Sequence, residues 1–177
     1  MKRLLTVAIV VAIAASLMST PVLAKGDNPA NNRSGGVGNS NNAFLYLYEK
    51  DPATWNISWG DDMAWGKMKF NLEGQTFDFL FNGHGLNAST NYSLIYYPEP
   101  QTTWPWPVTV LATGMPNDGG NIHLDGSVEL EQDLSGDKIW LVLDKDIVDD
   151  ELSGWNPSKY LFEHNLISYD DTDVDSP

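Results

Sequence analysis

The stretch FDFLFN (residues 77–82) places a phenylalanine at every second position. Successive side chains of a β-strand point to opposite faces, so this spacing predicts a strand with one aromatic face turned towards a core. The stretch IHLDGSVEL (122–130) alternates aliphatic with polar residues, which is typical of a strand with one solvated face. The stretch IWLVL (139–143) is apolar throughout and predicts a central strand that is covered on both faces.

Further strand-like segments occupy much of the remaining chain, at residues 44–48, 65–70, 92–97, 108–112 and 160–167. The stretches NDGG (117–120) and LSGD (134–137) are turn signals. About eight short strands separated by turns predict an all-β domain, an immunoglobulin-like or fibronectin-like β-sandwich. The stretch GLNASTNYSL (85–94) resembles the crossing between strands E and F of such domains, in which a leucine fills the core and a tyrosine closes the corner.

The first 24 residues have the composition of a secretory signal peptide. Lys2 and Arg3 precede an apolar run at residues 4–15, and the segment ends with VLA at 22–24. This run is shorter than the roughly 20 residues that cross a bilayer, so we expect cleavage after Ala24 and export to the cell surface or beyond.

The remaining chain divides by composition into a leader, one domain and a tail. Residues 25–42 are rich in Gly, Asn and Ser, which predicts a flexible leader. Residues 43–169 are expected to form a single β-sandwich domain of ordinary size. Residues 170–177 carry four aspartates, which predicts a disordered acidic tail.

Composition excludes several classes of function. The chain has no cysteine, which rules out disulfides, thiolate metal sites and a cysteine nucleophile. Its net charge of −14 becomes −16 once Lys2 and Arg3 are removed, and such a chain repels the phosphates of nucleic acids. The GxSxG, P-loop and dinucleotide-binding motifs are also missing, so we do not expect an enzyme.

Several stretches together resemble a family of uncharacterised secreted and cell-surface β-rich proteins of methanogenic archaea. They cover most of residues 44–169 and read WGKMKF (65–70), FDFLFNGHGL (77–86), YSLIYYPEP (92–100), KIWLVLDKDI (138–147) and GWNPSKYLFEHNLISY (154–169). The resemblance implies secretion, an archaeal source and one compact β domain. It implies no catalytic residue and no ligand.

The stretch WPWP (104–107) is the strongest candidate for a binding site. Pro105 and Pro107 restrict the backbone and favour extended conformations for Trp104 and Trp106. A tryptophan held on a rigid loop can stack on a sugar ring with little loss of entropy. Side chains one residue apart on an extended chain point to opposite sides, so we expect one indole to bind and the other to anchor the loop. Further candidates for the same surface are Trp59, Trp65 and Trp155, and burial of the indoles in the core is the alternative.

Acidic and histidine side chains raise two metal hypotheses. Asp144, Asp146 and Asp150 lie in the densest acidic run of the domain and could supply the oxygen ligands that calcium prefers, although the spacing of an EF-hand is missing. Three histidines, at positions 84, 123 and 164, lie near carboxylates but lack the spacing of a zinc motif. A solvated acidic loop and ordinary surface histidines are the alternatives.

The sequence therefore predicts a binding module for a glycan or a component of the cell envelope. One alternative is a structural or adhesion component of the envelope, which predicts an unpaired edge strand or a large apolar patch. Another is a metal-dependent hydrolase, which predicts a deep pocket with convergent polar groups.

Overall fold

The computed structural model describes residues 40–174 of this chain. The expected signal peptide (1–24) and most of the expected leader lie outside the described residues. Strands account for nearly all of the regular structure: β1 (Asn42–Tyr48), β2 (Trp65–Asn71), β3 (Glu73–Gly74), β4 (Phe77–His84), β5 (Tyr92–Tyr97), β6 (Trp106–Pro107), β7 (Thr109–Gly114), β8 (Ile122–Val128), β9 (Leu134–Leu143), β10 (Ile147–Val148), β11 (Glu151–Leu152), β12 (Phe162–Glu163) and β13 (Ile167–Asp171).

The strands form two five-stranded sheets and one small sheet. The first sheet has the order β12-β1-β2-β4-β8, and the second has the order β3-β13-β9-β5-β7. The small sheet has the order β10-β11-β6. Two 3-10 turns, Asp144–Asp146 and Pro157–Lys159, are the helical elements of the described chain. The all-β prediction is confirmed, and the arrangement in several sheets is consistent with a β-sandwich.

The strand-forming stretches place their apolar faces inside, as the alternation predicts. Phe77, Phe79 and Phe81 are buried on β4, while the intervening Asp78 is exposed. Phe77 of the first sheet packs edge-on against Tyr169 of the second, with ring centroids 5.3 Å apart. The core therefore lies between the two large sheets.

The central position predicted for residues 139–143 is also confirmed. They belong to β9 and pair with β5 on one side, and Leu141 bridges to Leu161 on the other. All five residues are buried. This segment is apolar throughout because it has no solvated face.

The crossing from β4 to β5 buries the leucine and the tyrosine that the stretch 85–94 places there. Leu86 is buried, and Tyr92 is buried at the start of β5. The Tyr92 hydroxyl accepts a hydrogen bond from the backbone N–H of Asn87 at 3.3 Å. Gly85 has a φ of +74°, and its missing side chain lets the backbone of Ala64 approach. The chain passes between the two large sheets here.

Three boundaries differ from the sequence-based predictions. The stretch 134–137 is part of β9 and not a turn, because Gly136, with a φ of +81°, accommodates an irregular register against β13. The segment 160–167 is interrupted and contributes to two strands, β12 and β13. The final strand continues to Asp171 and so includes the first two residues of the predicted acidic tail.

No helix among residues 40–174 has the length and apolar character needed to cross a membrane.

Candidate functional site

The WPWP loop exposes one indole and partly buries the other. Trp104 is 48% exposed, whereas Trp106 begins β6 and packs partly buried against the core. The two rings meet edge to face with centroids 4.9 Å apart. The prediction that they would point to opposite sides was wrong, because the chain bends at residues 103–105 instead of running extended.

The indole surface extends beyond this loop. Trp155 contacts Trp106 with ring centroids 5.3 Å apart, and Trp55 lies 6.2 Å from Trp155. Trp155 is 37% exposed and Trp55 is 49% exposed. We call the four side chains Trp104, Trp106, Trp155 and Trp55 the aromatic row. It joins three loops that are far apart in sequence into one continuous surface.

Buried aromatic rings support the row from below. Trp140 stacks on Tyr97 with centroids 4.2 Å apart, and Tyr97 in turn contacts Trp106. Phe162 contacts Trp55 at 5.2 Å and Trp140 at a similar distance. The indole N–H of Trp140 donates a hydrogen bond to the buried carboxylate of Glu163. The exposed indoles therefore rest on a packed layer of aromatic residues that limits their movement.

Asp146 anchors the loop that carries Trp155. Its carboxylate accepts hydrogen bonds from the Tyr160 hydroxyl at 2.6 Å and from the Asn156 side chain at 2.8 Å. Its backbone carbonyl accepts the N–H groups of Ser153 and Gly154, both at 2.9 Å. A Cβ at Gly154 would lie 2.4 Å from the Asp146 carboxylate, so only glycine fits there. Both neighbours of Trp155 are thereby hydrogen-bonded to one buried residue, Gly154 to its backbone carbonyl and Asn156 to its carboxylate.

Tyr160 completes this anchor. Burial and the hydrogen bond to Asp146 raise the pKa of Tyr160 well above its ordinary value. The phenol therefore remains protonated and keeps donating to the carboxylate.

The loop between β1 and β2 holds Trp55 in an unusual backbone conformation. The Asp51 carboxylate accepts the N–H groups of Ala53 and Thr54 at 2.9 Å, and its carbonyl accepts the N–H of Trp55 at 2.8 Å. The N–H of Thr54, followed by that of Ala53, holds the pKa of Asp51 below its usual value. Trp55 has a φ of +58°, in the left-handed region that favours glycine or asparagine. The turn thus presents a bulky side chain where the backbone favours a small one.

The predicted calcium ligands do not converge. Asp146 is buried and bonded within the protein, and Asp144 accepts the Ser93 hydroxyl at 2.8 Å. Asp150 is exposed on a turn, with a φ of +59°. Within residues 40–174, no group of three or more His, Asp or Glu side chains is arranged to hold a metal ion. The calcium hypothesis stays a prediction, and it requires millimolar calcium to raise the melting temperature.

The histidines lie apart from one another and contact neighbours of other kinds. His84 and His123 each form a hydrogen bond with an asparagine side chain, at 2.7 and 2.8 Å. His123 also lies 3.5 Å from the carboxylate of Asp125, where both side chains are exposed. His164 packs edge-on against Tyr48.

The carboxylates of the first sheet border a broad open groove. It has a volume of about 790 Å³ on the outer face of the sheet and is lined in part by Asp78 and Asp125. Asp78 accepts hydrogen bonds from the hydroxyls of Ser127 and Thr76, at 2.5 and 3.0 Å. The Ser127 bond joins β8 to β4, and the groove between these side chains is open to solvent and does not form an enclosed pocket.

Sequence reasoning identified part of the aromatic row and missed one member. Trp104 and Trp106 are in it, and Trp155 was a weaker candidate that the structure adds. Trp55 was not a candidate, although the Asp51 to Asn56 turn around it could have indicated an exposed side chain. Trp59 and Trp65 lie elsewhere, against Tyr48 and His84 respectively.

No protein-family model, no curated protein and no solved structure matches this chain.

Proposed function

We propose that this protein is a secreted or cell-surface binding module that holds a polysaccharide on the aromatic row. The observation that carries the proposal is the continuous contact of four indoles drawn from three loops, three of them well exposed. A continuous exposed cluster of large aromatic side chains is uncommon on a protein surface.

The physical basis is stacking on a surface that is already in place. Sugar rings present flat C–H faces, which pack against indole faces and release water from both. The supporting layer and the Asp146 anchor order the indoles before binding, so little side-chain entropy is lost. A single contact contributes about 1 kcal/mol, and a chain that covers several indoles gains from multivalency. The net charge of −14 favours a neutral or basic polysaccharide over an anionic one.

We further propose that the domain belongs to the immunoglobulin-like type of β-sandwich. The order β13-β9-β5-β7 corresponds to strands G, F, C and C′ of that type, and β2-β4-β8 corresponds to A, B and E. The chain enters the second sheet for β5 and β7, returns for β8 and leaves again for β9. In this assignment residues 85–94 connect strand B to strand C, and not E to F as their sequence suggested.

Binding to a panel of insoluble and soluble polysaccharides tests the proposed function. Trp104→Ala and Trp155→Ala should each weaken retention roughly fivefold, the equivalent of about 1 kcal/mol per ring. Met115→Ala is the matched control, because Met115 is an exposed apolar residue outside the row and its loss should leave retention unchanged. Bound polysaccharide should also protect tryptophan fluorescence from acrylamide.

Two results would replace the proposal with its alternatives. Concentration-dependent self-association, with unchanged polysaccharide retention in both tryptophan variants, would favour a structural or adhesion component of the cell envelope. Cleavage of a substrate that stops on addition of a chelator would favour a metal-dependent hydrolase.

A further inference from the structure

A second group of aromatic side chains forms a cleft on the outer face of the first sheet. Tyr46 and Tyr48 lie side by side on β1, with ring centroids 6.2 Å apart and planes within 10°. Trp59, on the loop after β1, leans over Tyr48 at 5.4 Å and 51°. Trp65 lies directly opposite Tyr48 in the register of β1 and β2. This aromatic cleft has a volume of about 340 Å³ and is lined chiefly by Tyr46, Tyr48, Ser58, Trp59, Met63 and Trp65.

The lining of the aromatic cleft selects a ligand that needs few hydrogen bonds. It offers ring faces on several sides, and its polar side-chain groups are mainly hydroxyls and indole N–H groups. Because most of the lining is ring surface, it offers few directional hydrogen bonds to a ligand that carries many hydroxyl groups. A methylated ammonium carries its charge on a rounded apolar surface, and ring faces attract it without directional bonds.

The charges around the aromatic cleft also favour a cation. Asp61 and Asp62 are exposed on the loop that lines it. The chain as a whole carries a net charge of −14, and the ammonium of Lys67 lies beside the ring of Tyr46. The local field is therefore attractive to a positive ligand.

Lys67 shows that this face accommodates a cation. Its ammonium nitrogen lies 4.1 Å from the ring centroid of Phe44 and 5.4 Å from that of Tyr46. The protein thus already places one ammonium on the aromatic residues beside the cleft. Because Lys67 carries the same charge as the ligand considered, its removal should strengthen binding.

We propose that the aromatic cleft binds a methylated ammonium group carried by a small solute. Its volume lies at the lower end of the range typical of small-molecule sites, roughly 300–1,000 Å³, which favours a small solute over a macromolecule. This site is separate from the aromatic row and does not rest on the proposed polysaccharide binding.

Titration of the full chain with choline tests the proposal, with tryptophan fluorescence and calorimetry as readouts. The control ligand is 3,3-dimethyl-1-butanol, in which a neutral carbon replaces the nitrogen of choline. We expect choline to bind roughly tenfold more tightly than this neutral analogue. Equal affinities would show an apolar cavity without preference for charge and would overturn the proposal.

Substitutions distinguish the aromatic cleft from the aromatic row. Trp59→Ala should abolish choline binding while polysaccharide retention is unchanged, and Trp104→Ala should do the reverse. Trp59 is 69% exposed, so the variant should fold, and Trp65→Ala provides a second test at the same cleft. Choline binding that survives both cleft substitutions would overturn the proposal, as would loss of a sugar ligand in Trp59→Ala.

Charge variants and a peptide ligand complete the test. Lys67→Gln should tighten choline binding roughly threefold, and the double variant Asp61→Asn, Asp62→Asn should weaken it by a similar factor. Weaker choline binding by Lys67→Gln, or tighter binding by the aspartate double variant, would refute the electrostatic argument. A trimethyllysine peptide that binds more tightly than choline would identify a protein side chain as the ligand and overturn the assignment to a small solute.

Discussion

Replacing Trp55 by glycine and by alanine separates the cost of its backbone conformation from the value of its side chain. Both substitutions remove the indole, which is 49% exposed and therefore buries about half of its surface against Trp155 and Phe162. About 100 Å² of lost apolar contact corresponds to roughly 2–3 kcal/mol of unfolding free energy in each variant. This loss is common to the two variants and cancels in their comparison.

The remaining difference comes from the backbone. At a φ of +58°, alanine keeps the clash between Cβ and the following carbonyl, and glycine removes it. We therefore expect Trp55→Gly to be more stable than Trp55→Ala by about 1 kcal/mol, or about 4 °C in melting temperature. Urea denaturation of the two variants at pH 7 measures this difference directly.

Trp59 provides the matched control in the same loop. It is also an exposed tryptophan, but its φ is not positive. At such a position glycine is usually less stable than alanine by about 0.5–1 kcal/mol, because it loses more conformational freedom on folding. The order of stability should therefore reverse between positions 55 and 59. If alanine is the more stable replacement at both positions, the left-handed turn does not strain Trp55 and the reasoning fails.

Three further predictions test the core, the anchor of the row and the response to alkali. In chemical denaturation, Phe79→Ala should lower the free energy of unfolding by about 3–5 kcal/mol and Asp78→Ala by less than about 1 kcal/mol. Equal losses in the two variants would show that the assigned faces of the strand are wrong. Asp146→Ala should lower the free energy of unfolding by about 1–3 kcal/mol. It should also shift tryptophan emission to longer wavelength, because the loop that carries Trp155 is released from its anchor. An unchanged emission spectrum would contradict the anchoring role of Asp146. Burial raises the pKa of Tyr96 and of Tyr169 to about 12, so above pH 10 the unfolded phenols ionise before the folded ones. The free energy of unfolding should therefore be constant just below pH 10 and fall between pH 10 and 12. Tyr96→Phe should reduce that fall. An identical pH profile in the variant would show that Tyr96 does not contribute to the loss of stability in alkali.

The strand faces were predictable because they depend on neighbouring residues alone. In the stretch 77–82 the alternation of phenylalanine with other residues assigns Phe79 to the core and Asp78 to solvent, whichever strand pairs with it. The uniformly apolar stretch 139–143 could likewise be assigned to a central strand, since only a strand without a solvated face tolerates that composition.

Turns and boundaries were less predictable, because glycine permits several backbone conformations. Gly136 was expected in a turn but lies in an irregular part of β9, where pairing with β13 decides its conformation. Asp146 was predicted to be a calcium ligand, with a solvated acidic loop as the alternative. It is buried because its donors, on Asn156 and Tyr160, lie 10 and 14 residues further along the chain.

The sequence by itself determined most of the long strands and which of their side chains face the core, because those properties follow from a local period of two residues. The tertiary structure alone decided which tryptophans share a surface. Trp104, Trp155 and Trp55 lie in separate loops, and no regular spacing relates them. They meet because the pairing of β6 with β11 and of β1 with β12 brings those loops together. Such contacts depend on long-range strand pairing, which local sequence patterns do not encode.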